Sequence, residues 1–147
     1  MRAAEVVLRA GLVTVFLLAA VGGALTTLVT PLLPATGPLG QRYQATFIVL
    51  AAVAVLGVGW ELVYHLIMQW RWEKDWPTLF GLLTLVPEGL LVWPLATRRL
   101  LPGLPGPVAT AVFVIHFLAV WLLVWLVGNG PMRVPFIRWR FRGGRLW

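Results

Sequence analysis

Four apolar stretches, at about 6–33, 46–68, 78–97 and 107–127, each approach the roughly 20 residues that a helix needs to cross a bilayer. Backbone amides in hydrocarbon must be satisfied within their own segment or in a closed barrel, so unbroken runs of this length predict helices. Composition agrees. With 60% hydrophobic and 12% charged residues, against an ordinary soluble apolar share of about 45–50%, the 147 residues carry more apolar side chains than a water-soluble core could hide. The expected fold is an all-α integral membrane protein: a single domain over 1–147 whose four transmembrane helices form a compact bundle, with a basic, aromatic cytoplasmic tail over 131–147.

The first run follows Arg2 and Arg9 and holds small residues at Ala20, Gly22 and Ala24, a pattern that a cleavable signal peptide would also show. It continues through Leu33, so it is read as a retained helix. Ala19, Gly22 or Gly23, Thr26 and Thr30 fall along one face, and small or hydroxyl residues at that spacing predict close helix packing. Pro31, Pro34 and Pro38 then break the chain. Within this loop Leu33 to Gly37 reads LPATG, matching the sorting signal of sortase substrates. That signal belongs before one final span, whereas three runs follow here, and the segment is read as an extracytoplasmic turn.

Ionisable groups inside apolar helices are costly and are either functional or satisfied by a partner. The second run places Ala54, Gly57, Glu61, His65 and Met68 on one face, and the third places Gly81, Thr84 and Glu88 on one face. Pro87 removes a backbone donor and predicts a local kink at the carbonyl of Leu83. In the fourth, His116 shares a side with Ala109, Val112, Ala119 and Leu123, while Phe113, Phe117, Trp121 and Trp125 form an aromatic ladder read as lipid-facing or packed bulk. Glu61, His65, Glu88, His116 and Thr84 are therefore the candidate intramembrane site. At 1.5 Å rise per residue, Glu88 lies about 16 Å and His116 about 18 Å from the cytoplasmic ends of their helices, so the two could meet near the midplane. Glu61 is roughly one turn shallower and His65 another turn beyond it.

Carboxyl groups in apolar surroundings hold protons tightly and imidazole titrates near neutrality, so such a staggered set can pass protons. Equally, the same groups can serve as hydrogen-bonding ties between helices or subunits. The difference in depth between His65 and His116 disfavours a haem held by both. A metal site, or a lipid-modifying acid–base pair of Glu61 and His65, lacks any accompanying binding or substrate-orienting motif.

Cysteine is absent, which excludes disulfides, thiolate metal sites, iron–sulfur clusters and a cysteine nucleophile. No nucleophile motif, phosphate-binding glycine loop or soluble catalytic head accompanies the spans, and no family motif is recognisable. These absences favour a non-enzymatic role while leaving the enzyme question open, and no cofactor or metal is expected. Lys74 is the single lysine, an arginine preference read as GC-rich coding and hence a bacterial source.

Arg2, Arg9, Arg71, Lys74, Arg133, Arg138, Arg140, Arg142 and Arg145 fall on one side of the predicted bundle, and only Arg42, Arg98 and Arg99 on the other. The positive-inside rule then predicts that both termini are cytoplasmic, with Trp70, Trp72 and Trp76 at the interface. The tail alternates basic and aromatic residues, with Arg138, Trp139, Arg140, Phe141, Arg142 and Arg145 as its docking set. Directly after a span, such a tail suits anionic lipid headgroups or a protein partner better than nucleic acid. Together these features predict a multi-pass protein of the bacterial inner membrane, acting as an accessory or scaffold subunit with other membrane subunits or its own copies as partners. A small transporter or proton or ion relay built on Glu61, Glu88 and His116 is the alternative.

Overall fold

The structure, a computed structural model, describes residues 11–68, 70 and 82–131. Four helices carry the fold: α1 (Gly11–Leu32), α2 (Leu39–Met68), α3 (Leu85–Thr97) and α4 (Thr110–Asn129). Among the described residues there is no strand. Among the described residues three helices are long and apolar enough to cross a membrane: the 22 residues of α1, the 26-residue section Leu39–Tyr64 of α2 and the 20 residues of α4. Their lengths, about 33, 39 and 30 Å, match or exceed a hydrocarbon core of about 30 Å. The 13 residues of α3 cover only about 20 Å. Leu82 and Leu83 ahead of it are helical, but the pattern breaks at Thr84. This is where Pro87 supplies no N–H and its ring crowds the carbonyl of Leu83.

Successive helices alternate in direction. Thr14 meets Glu61 while Thr30 meets Thr46, so α1 and α2 are antiparallel. Gly57 abuts Glu88, and Gln44 donates to the carbonyl of Gly103 just past α3. Gly89 and Trp93 of α3 meet Phe117 and Thr110 of α4, and Gly22 and Thr26 of α1 meet Val120 and His116, closing α4 onto α1. Leu18, Val49, Leu50, Val53, Val92, Ala96, Phe113, Phe117 and Val120 form the shared core. Phe113 and Phe117 stack within it, ring centroids 5.3 Å apart, so this half of the aromatic ladder is packed bulk.

Two glycines set the helix spacing. A Cβ at Gly22 would lie 3.1 Å from Leu50 Cδ1 and 3.2 Å from Val120 Cγ1, and one at Gly89 only 2.9 Å from Phe117 Cε1. Outside this core, Leu12, Phe16, Leu28, Val55, Leu66, Leu90 and Leu126 point outward. Large apolar side chains spread around every helix make a surface suited to lipid rather than to water.

The face of α1 depends on a wide turn. Residues Leu18–Gly22 are π-helical, and the N–H of Gly23 reaches the carbonyl of Leu18. Thr14, Leu18, Gly22, Thr26 and Thr30 recur every fourth residue. In a straight α-helix that stripe would drift by about 160° between its ends, and the one residue that a π-turn absorbs takes back about 100°. The stripe thus stays turned towards α2 and α4. Leu18 and Gly22 are buried and Ala19 is exposed, so Ala19, expected on the packing face, lies outside it because of this register shift.

Helix boundaries moved where polarity hid a helix from a hydropathy reading. α2 begins at Leu39 rather than near 46, because Gly40 to Gln44 is polar yet helical. Pro38 starts it by accepting from the N–H groups of Gln41 and Arg42. Arg42 Nη2 then folds back to the carbonyls of Thr30, Pro31 and Leu33 at 3.0, 3.1 and 2.6 Å, a cation placed on the exposed carbonyl end of α1. The end of α3 is closed by bonds from Leu100 N–H to Leu95 O and Arg99 N–H to Ala96 O. Arg99 takes the left-handed position at φ 55 that glycine usually fills in this motif, and its Nε donates to Leu104 O at 3.1 Å. The tail residues Arg138, Trp139, Arg140, Phe141, Arg142 and Arg145, and the interfacial Trp72 and Trp76, lie outside the described residues.

Candidate functional site

Among the described residues, three of the side-chain ties between helices join an ionisable group to a neutral partner. Thr14 Oγ1 of α1 donates to Glu61 Oε2 of α2 at 3.1 Å. Trp121 Nε1 of α4 donates to Glu88 Oε2 of α3 at 3.1 Å. Thr26 Oγ1 of α1 and His116 Nε2 of α4 lie 2.9 Å apart, and the imidazole tautomer decides which of them donates.

The surroundings of Glu88 are set by a small residue. Glu88 is 7% exposed and its carboxyl lies against α2, where a Cβ on Gly57 would stand 3.3 Å from Oε1. Tyr64, two turns along the same face of α2, is within electrostatic reach of this carboxyl and stacks on Trp60 with ring centroids 5.9 Å apart.

The tie at His116, 3% exposed, extends into a thread of hydroxyls. Thr30 Oγ1 donates to the carbonyl of Thr26 at 2.6 Å and lies 2.9 Å from Thr46 Oγ1. Thr46 Oγ1 in turn lies 3.0 Å from the carbonyl of Arg42 and 3.1 Å from that of Tyr43, so each hydroxyl has a backbone acceptor one turn back and either can donate its one proton to the other. Thr26 and Thr30 are both fully buried. Each buried hydroxyl therefore has a protein partner, as the cost of a lone polar group in an apolar medium demands.

The ionisable groups are thus staggered and separately tied. Glu88 and His116, at similar predicted depth, bond different partners: Trp121 lies roughly 7.5 Å further along α4 than His116. Glu61 turns to α1, and Glu88 to α4. Thr84 sits one turn before Glu88 and its carbonyl accepts the Glu88 N–H at 3.3 Å. The backbone of His65 continues α2 one turn beyond Glu61, and its side chain lies outside the described residues. Among the described residues no group of three or more His, Asp or Glu side chains is placed to hold a metal ion.

Sequence reasoning singled out the ionisable members and passed over the neutral ones, Thr14, Thr46 and the indole of Trp121. The four-residue recurrence of Thr14, Thr26 and Thr30 was the available signal, once a wide turn was allowed for. Two further indoles belong to this end of the bundle. The ring nitrogens of Trp60 and Trp125 are fully buried and have no acceptor among the described residues.

Comparison of the chain with protein-family models, with curated proteins and with solved structures finds no match.

Proposed function

We propose that the chain is a four-span protein of a bacterial inner membrane, both termini cytoplasmic, and that it acts as an accessory or scaffold subunit of a larger membrane assembly. The observation that carries this reading is the set of separate ties: Glu61 to Thr14, Glu88 to Trp121 and His116 to Thr26. Polar groups that each hold a neighbouring helix act as interhelical glue, worth about 0.6 kcal/mol on average in a bilayer and up to about 1.7. On this view α3 completes the fourth crossing together with residues ahead of Leu85. The orientation follows from the lysine and arginine bias, and it is helped by the structural employment of Arg42 and Arg99 as helix-end caps. The tail residues Arg138 to Arg145 then meet anionic headgroups or a partner subunit on the cytoplasmic side.

The proton or ion relay through Glu61, Glu88 and His116 stays as a second reading, favoured by one observation: Tyr64 lies within electrostatic reach of Glu88 on the face of α2 that also carries Glu61. Flux measurements on the purified chain in liposomes separate the two. The scaffold reading expects no proton or cation flux above that of empty vesicles. A flux abolished by Glu88→Gln, in a protein that still inserts and folds, overturns it in favour of the relay.

A further inference from the structure

Gly57 of α2 and Trp121 of α4 both touch Glu88, so on these two parallel helices they mark one level of the bundle. Trp60 and Glu61 lie about 4.5 and 6 Å further along α2, and Trp125 about 6 Å further along α4. Thr14 reaches the same level from α1, because it bonds Glu61. This layer therefore contains one carboxyl, has a second a single turn away, and holds two buried indole nitrogens, Trp60 Nε1 and Trp125 Nε1, that lack an acceptor among the described residues.

We infer that this layer is a water-binding chamber, in which internal water accepts from the Trp60 and Trp125 indoles and donates to the Glu61 and Glu88 carboxyls. An indole N–H is a donor only, so its partner must bring a lone pair. The two carboxyls are already engaged by Thr14 and Trp121 through one oxygen each, and a guest that donates as well as accepts completes both sets. Water does this in the smallest volume, making two to four bonds to buried polar groups. Bound there, it gives Glu61 and Glu88 a common hydrogen-bonded neighbour without side-chain contact between them. The inference does not depend on the scaffold reading, since a hydrated layer serves a tie and a relay alike.

The test is solid-state NMR of the full chain, ¹⁵N-labelled at tryptophan, in phosphatidylethanolamine–phosphatidylglycerol vesicles carrying a membrane-impermeant gadolinium chelate on both sides. Indole signals are assigned by sequential backbone correlation, and Trp70, 94% exposed, is the reference for a solvent-facing ring. The expected result is magnetisation transfer from mobile water to the Trp60 and Trp125 indole protons, with both signals surviving chelate that broadens Trp70. Absence of transfer overturns the proposal, because the indoles are then dry or bonded to protein. Transfer accompanied by broadening equal to that of Trp70 also overturns it, because the water is then at an open surface.

Discussion

Replacing Thr26 by Val removes one hydroxyl and keeps the outline of a side chain that is 0% exposed. It leaves His116 Nε2, now 2.9 Å from that hydroxyl, without a partner in an apolar interior. A buried polar atom deprived of its bond costs about 1–3 kcal/mol in soluble proteins. Hydrogen bonds in bilayers run lower, at about 0.6 and up to about 1.7 kcal/mol, so Thr26→Val should destabilise by roughly 1–1.5 kcal/mol. His116→Leu should cost less, about 0.5–1 kcal/mol, because the freed Thr26 hydroxyl can turn to the carbonyl one turn back, as Thr27 and Thr30 already do. With both partners gone nothing is stranded, and the double variant should be no less stable than Thr26→Val alone. The coupling of about 1 kcal/mol is measured by reversible unfolding of the four proteins in mixed micelles titrated with sodium dodecyl sulfate. Additivity of the two single effects within about 0.3 kcal/mol would refute the claim that this pair is an interhelical tie.

Other residues give sharper structural readouts. Gly89→Ala should lower stability by about 1–3 kcal/mol by driving a Cβ into the Phe117 ring, and adding Phe117→Leu should recover part of that loss in thermal unfolding. Arg42→Ala strips the cap from three carbonyls and should cost about 1–2 kcal/mol, with Arg42→Lys recovering only the charge contribution. Deleting Ala20 removes the residue that the π-turn absorbs and should let α1 run as a regular α-helix with Gly11 to Leu17 still turned towards Glu61. In that background Thr14→Val should destabilise about as much as it does in the parent, read by unfolding; a loss of its effect would show that the π-turn does not set the register. Glu88→Gln keeps an acceptor for the Trp121 indole and should stay within about 0.5 kcal/mol of the parent, while Glu88→Leu strands that N–H and should cost about 1–2 kcal/mol more.

Much of the helical layout is legible in the sequence because hydropathy and proline act locally. The apolar runs name the helices, and Pro87 marks the break that falls at Thr84. The start of α2 is not legible in that way, since Gly40 to Gln44 is polar, and its helical state rests on Pro38 and on the return of Arg42 to the end of α1. The candidate site divides along the same line. Glu61, Glu88 and His116 stand out by cost alone, because any ionisable group in an apolar run asks for a partner. Which partner each takes depends on helix register, and a single π-turn in α1 changes that register by one residue. Glycine carried information of a second kind. Gly57 was a small residue on the Glu61 face in the sequence and Gly89 was not singled out, whereas in the bundle one admits the Glu88 carboxyl and the other the Phe117 ring.

The most direct measurement of the proposed role is the mass of the intact particle carrying this 16.3 kDa chain, extracted gently from its native membrane, with identification of every chain that accompanies it. The scaffold account predicts unrelated membrane subunits at fixed stoichiometry, retained through purification. A lone chain, or an assembly made only of its own copies, would contradict it.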